Sequence, residues 1–149
     1  MAANATNRET GRDRIASLLT TALVGGGKPV QAVYSGKVAD FEGRSPIVTV
    51  TSGASLREYK YQGSTQWHNW FAYTIWVFVS YKHGDQEAED LLDLIEKGIA
   101  NVIMDNRHDD GYWDIVEYSD PTDASGDVVV GGTPYRREII GVRARVGHG

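Results

Sequence analysis

A chain of 149 residues with 41% hydrophobic and 23% charged side chains has the size and balance of one globular domain with a core of its own. Its net charge of -5 argues against a solvated DNA-binding face, which draws its affinity from a basic excess, and leaves open only a local basic stripe. The absence of cysteine excludes disulfides and thiolate metal sites and fits a reducing compartment.

No run approaches the ~18 apolar residues of a membrane-spanning helix. Met1–Thr10 is polar and lacks the apolar core of a secretory signal. The expectation is a protein made and kept in a cytoplasm, with no membrane partner. The first residues, small and polar, read as a short mobile tail. Thr6-Asn7-Arg8-Glu9 then has capping-box spacing. Ile15, Leu18, Leu19, Ala22 and Leu23 form the apolar stripe of a helix that runs to about Val24. Gly25-Gly26-Gly27 stops it, because glycine readily takes the left-handed conformation at a helix end. With Lys28 these glycines suggest a phosphate loop. That motif needs glycine where Ala22 stands and a hydroxyl residue where Pro29 stands, and it opens a helix instead of ending one.

Val30–Ser35 reads as a short strand and Gly36–Ser45 as a connection containing Asp40-Phe41-Glu42-Gly43. Pro46–Ser52 reads as a second strand, with proline at its first residue, where a missing ladder donor is tolerated. Gly53–Gln66 is polar, carries Arg57, Tyr59, Lys60 and Tyr61, and is read as a long loop or a protruding hairpin. Trp67–Tyr81 is a long aromatic strand that would reach roughly 50 Å if extended throughout. Period-two geometry points Ile75, Val77 and Val79 one way and Trp76 and Phe78 the other. An antiparallel sheet in a small domain usually gives one face to its helices and one to water. The second apolar face here therefore needs a further cover, expected from copies of the chain or from another protein.

His83-Gly84 makes a turn into a helix, Asp85–Met104, that buries Ala88, Leu91, Leu92, Ile95, Ile99, Val102 and Ile103. Asp85, Glu87, Glu89 and Asp90 crowd its start, where the helix dipole favours negative charge. Asn106–Gly111 is a tight polar turn, Trp113–Tyr118 a strand, Ser119–Asp127 an exposed loop, Val128–Val130 a short strand and Gly131-Gly132 a turn. In the last strand, Tyr135–Val146, Ile140, Val142, Ala144 and Val146 face one side while Arg137, Arg143 and Arg145 share the other. The order α-β-β-β-α-β-β-β over residues 1–149 defines a single α+β domain, a mainly antiparallel sheet with two flanking helices.

Chemistry-bearing motifs are weak. Asn106 to Glu117 has the glycine and terminal glutamate of a calcium loop, but Asn106 and His108 are poor ligands for a hard cation at its first and third positions. His68, His83, His108 and His148 share no ligand spacing, and His108 beside Asp109 and Asp110 has no partner nucleophile. No catalytic, cofactor or metal site is expected, and a small enzyme built on His108 is the minor reading. The stripe of Arg137, Arg143 and Arg145 is more informative. It is a solvated sheet face, an interface whose counter-charges are Asp85, Glu87, Glu89 and Asp90 of a neighbour, or a basic lining around a nucleic-acid channel. Arg57, Tyr59, Lys60, Tyr61 and Trp67 are further interface candidates, since tyrosine, tryptophan and arginine dominate interface hot spots.

Several segments together carry a resemblance. These are Asp40-Phe41-Glu42-Gly43-Arg44-Ser45-Pro46-Ile47-Val48-Thr49-Val50, then Thr51-Ser52-Gly53-Ala54-Ser55-Leu56-Arg57, and Ala88-Glu89-Asp90-Leu91-Leu92-Asp93-Leu94-Ile95-Glu96 after the aromatic strand. A Gly-Gly-x-x-Tyr-x-x-Glu strand at Gly131–Glu138 follows. From about Arg8 to Val146 the chain resembles the tail terminator, or tail-completion, proteins of long-tailed bacteriophages. The resemblance implies a structural virion protein of the tail and neck region, assembled in the host cytoplasm, and not an enzyme. It implies a hexameric ring that caps the tail tube protein, stops tube polymerisation and offers a joining surface to the head-tail connector protein. Genome DNA would pass through the lumen without specific binding. The alternative is a head-completion or connector protein of the same virion. Geometry alone would do the work, because heterologous contacts that close by rotation form a ring.

Overall fold

Helix α1 (Arg8–Leu23) begins at Asn7, whose side-chain oxygen accepts the Thr10 amide at 2.9 Å. That cap lies one residue after Thr6, the residue the capping-box spacing selects. The computed structural model describes residues 7–59, 67–120 and 125–148, and of residues 57–59, 67 and 148 the main chain alone; Thr6 lies outside them. The helix stops as expected: Val24 turns extended while its amide still reaches Thr20, and Gly25 takes a positive φ of 135°. Val24 then bridges Val30 in parallel across the glycine turn, and the chain enters the sheet beside α1.

Among the described residues six strands and a second helix follow. They are β1 (Ala32–Ser35), β2 (Ile47–Tyr59), β3 (Trp67–Ser80), α2 (Asp85–Asp105), β4 (Ile115–Ser119), β5 (Gly126–Val130) and β6 (Thr133–His148). The order across the sheet is β1-β2-β3-β6-β4, with β5 also pairing β6. Among the described strands only β1 and β2 run parallel. Parallel neighbours cannot be joined by a tight turn, so residues 36–46 cross over the sheet and drop Phe41 onto it. The fold is thus α+β in the expected order, with a mostly antiparallel sheet.

Two expectations change. Strand β2 does not end near Ser52 but continues to Tyr59, which pairs with Trp67. The segment from Gly53 is therefore one limb of a hairpin, not a loop, as far as it is described; residues 60–66 lie outside the described residues. Its small polar residues hide the strand because the ladder to β3 holds it there, not its own apolar pattern. A register shift between Ser52 and Ser55 puts two β2 residues opposite Ala72. The second change concerns Trp113, which precedes β4. It is buried below the helical layer with its indole nitrogen donating to Asn106 O at 2.9 Å.

Both helices pack on one sheet face. Ile15 and Leu19 of α1 and Ile95 and Ile99 of α2 close over Ile75, Val77 and Val142, all at or below 1% exposure. Each such side chain contributes roughly 1.5–3 kcal/mol through burial. At the α1–α2 contact Gly98 lets the helices approach: a Cβ there would sit 2.7 Å from Leu23 Cδ2. Arg14 ties α1 to the turn after α2 through Asp109 at 2.7 Å and lies 4.6 Å from the Tyr112 ring.

Neither helix touches the opposite face. There Phe41, Ile47, Phe78 and Tyr135 form a second core cluster, with ring centroids of Phe41 and Phe78 4.9 Å apart and of Phe41 and Tyr135 5.5 Å apart. Tyr135 is fully buried and donates its hydroxyl to Arg44 O at 3.0 Å. The expectation that this face needs copies of the chain or another protein for its cover is corrected in part here. The 36–46 crossover and the β5–β6 hairpin cover part of it from within the chain, because the parallel β1–β2 link must pass over that side.

Candidate functional site

Alternation along four strands arranges the rest of this second face into rows. Leu56, Trp70, Arg145 and Ile115 are cross-strand partners in one row, and Ala72, Arg143 and Glu117 form the next. Farther toward the aromatic cluster come Thr49, Trp76 and Ile139, then Ile47, Phe78 and Arg137. All three arginines of the expected stripe thus lie on the helix-free face, but in two groups. Arg143 and Arg145 hold their guanidinium carbons 4.4 Å and 5.9 Å from the Trp70 ring centroid. Arg137 stands separately, 5.1 Å from the ring of Trp76. A cation over an indole face keeps its charge while burying its carbon stem, so each pair is a stiff amphipathic contact.

Within the chain itself two arginines of β6 already have acidic partners. Arg143 donates to Glu117 at 2.7 Å on the adjacent strand, and Glu89 of α2 pairs with Arg136 at 3.0 Å within the same chain. Arg136 lies on the helix side of β6, which alternation alone assigns. Trp70 was not singled out from the sequence, while Trp76 was read only as part of the second apolar face and Glu117 only as the end of a calcium-loop pattern. Their signal was nevertheless there: the tryptophans share the parity opposite to Ile75, and antiparallel pairing brings that parity onto the arginine face.

A cavity of about 340 Å³ opens between the aromatic cluster and the arginine rows. Its wall includes Val38, Phe41, Trp76 and Phe78, with Lys37 and Arg137 as the cations. Trp76 is held in position by donating its indole nitrogen to Thr51 Oγ1 at 2.8 Å. Leu56, 56% exposed, leaves the face apolar at the hairpin end.

The other expected contact residues sit on that hairpin. Arg57 pairs with Asn69 and Tyr59 with Trp67 in the ladder, and only their main chains are described. Lys60 and Tyr61 lie outside the described residues. His108 is exposed, with Nδ1 2.7 Å from Asp114 O, while the neighbouring Asp109 carboxylate is engaged by Arg14. These groups are not convergent. Among the described residues no group of three or more histidine, aspartate or glutamate side chains could hold a metal ion. No helix there is long and apolar enough to cross a membrane.

Fold and surface together define an α+β protein whose most developed non-core feature is an aromatic and cationic sheet face. Comparison of the chain with protein-family models and with curated proteins yields no match.

Proposed function

We propose that the chain is a structural virion protein that caps a phage tail tube as a ring, stops tube growth and presents the surface to which the head joins. The observation that carries this reading is the helix-free sheet face. It combines two tryptophans, three arginines and an open apolar cavity, which are the side-chain types and shape of a protein contact. The length of β2 and β3 supports it, because with β6 they carry the sheet out to the Tyr59–Trp67 end and give the subunit a broad surface toward a neighbour or a tube. The sequence resemblance supplies the specific assembly, and a ring requires heterologous contacts that close by rotation.

Negative-stain images and sedimentation of the purified protein, alone and with isolated tail tubes, test the proposal. Rings in solution or on tube ends are expected. Monomers at high concentration in both samples would end it. Retention by a portal-side adaptor but not by tubes would point to the connector alternative.

A further inference from the structure

We propose that the cavity under the 36–46 crossover receives Leu94 of a second copy of this chain, with Lys37 and Arg137 meeting Glu87 and Asp90 of that copy. This rests on the ring reading above and assigns the surfaces that would build it. The acceptor is the 340 Å³ cavity, apolar at its aromatic wall and cationic at Lys37 and Arg137. The donor is the outer side of α2. Leu94 is 55% exposed there, between the exposed acidic residues Asp90 and Asp93 and the exposed Glu96. Glu87, Asp90 and Leu94 follow i, i+3, i+7 spacing, so one stripe of α2 presents two carboxylates leading to one apolar knob. Both carboxylates and Lys37 are exposed. The pairing is complementary in charge and in polarity: a knob with acidic flanks faces a hole with basic flanks.

The locations of the two surfaces fix the kind of contact. Helix α2 packs on one face of the sheet and the cavity opens on the other. One pair of molecules cannot engage both surfaces of both copies at once. The contact is therefore heterologous and leaves a free donor on one copy and a free acceptor on the other. Repetition closes it into a ring or extends it as a filament.

The chain has no cysteine, which makes crosslinking a direct test. One population carries Ala39→Cys at the cavity and another Leu94→Cys on α2. After mixing and mild oxidation, disulfide-linked dimers are expected, far above a control that mixes Ala39→Cys with Ser17→Cys on exposed α1. In sedimentation, Leu94→Asp and Lys37→Glu each weaken self-association at least about tenfold. Joining Asp90→Lys to Lys37→Glu restores most of the loss, which a merely unstable variant would not show. Thermal melts check that these exposed substitutions leave the fold intact. Unchanged association of Leu94→Asp, or crosslinking no better than the control, overturns this contact. If such variants still form rings and cap tubes, the capping reading survives without it. A wild-type chain that stays monomeric alone and with tubes overturns both.

Discussion

Arg143 places its guanidinium carbon 4.4 Å from the Trp70 ring centroid and, from the same rotamer, donates Nε to Glu117 at 2.7 Å. One cation thus organises the open end of the face across three strands. The ring contributes more than the carboxylate, because both charges of the pair remain partly exposed and an exposed pair is worth ~1 kcal/mol or less. Trp70→Ala should lower the unfolding free energy by about 1–3 kcal/mol through lost stacking and ring burial. Glu117→Gln should cost less than about 1 kcal/mol. Urea titrations of both variants decide which partner holds Arg143.

The β5–β6 turn makes a sharper prediction about backbone. Gly131 and Gly132 both have positive φ, 56° and 82°, as a two-residue hairpin requires. A Cβ on Gly131 would lie 2.1 Å from Asp40 Oδ1, the atom that accepts the Glu42 amide at 2.8 Å. A Cβ on Gly132 meets nothing within 4 Å. Gly131→Ala should destabilise by about 1–3 kcal/mol, combining left-handed strain with displacement of Asp40. Gly132→Asn should cost a few tenths of a kcal/mol, since asparagine tolerates this conformation. Thermal melts of the pair separate the close approach from the conformation.

Arg14 and Asp109 are far apart in the sequence, yet they join α1 to the α2–β4 turn at 2.7 Å. Arg14 keeps 29% side-chain exposure and Asp109 14%, so solvent screens the pair in part. Arg14→Met should cost about 1–2 kcal/mol, below the loss expected for a fully buried pair. A double-mutant cycle with Asp109→Asn should return a coupling of about 0.5–2 kcal/mol, and additive losses would contradict the link.

Stability should fall on the alkaline side. Tyr73 is 1% exposed and donates its hydroxyl to Arg8 O at 3.1 Å. Burial raises its ionisation above the ordinary tyrosine range, with Arg12 and Arg8 opposing in part. Tyr81, hydrogen-bonded to Asp127, and the desolvated Tyr118 and Tyr135 shift the same way. A raised value means the folded state keeps the proton that the unfolded chain gives up. The contribution is therefore complete below about pH 10 and is lost as pH climbs past it. Unfolding followed from pH 7 to 11 should show this decline, and Tyr73→Phe should make it shallower without removing it.

Element order was legible because it depends on local period. The 3.6-residue stripe at Ile15, Leu19 and Leu23 and the two-residue alternation at Ile75 to Val79 each survive any tertiary arrangement. The length of β2 was not legible: Ser52, Gly53, Ala54 and Ser55 carry no apolar alternation, and pairing with β3, with Arg8 and Arg12 of α1 bonding Gly53 O and Ser52 Oγ, keeps them in the sheet. The arginine parity was readable, but not its division between Trp70 and Trp76, which comes from cross-strand register.

Alternation by itself determined that β3 and β6 each have two dissimilar faces, with Ile75, Val77 and Val79 opposite Trp76 and Phe78 on one strand and Ile140, Val142, Ala144 and Val146 opposite Arg137, Arg143 and Arg145 on the other. That follows from covalent geometry, which turns successive side chains to opposite sides. Tertiary structure alone decided what lies over each face. The parallel β1–β2 pairing forces the crossover past the second face, seats Phe41 between Phe78 and Tyr135, and leaves a cavity beside Trp76. Such contacts join residues with no local period in common, so packing had to select them.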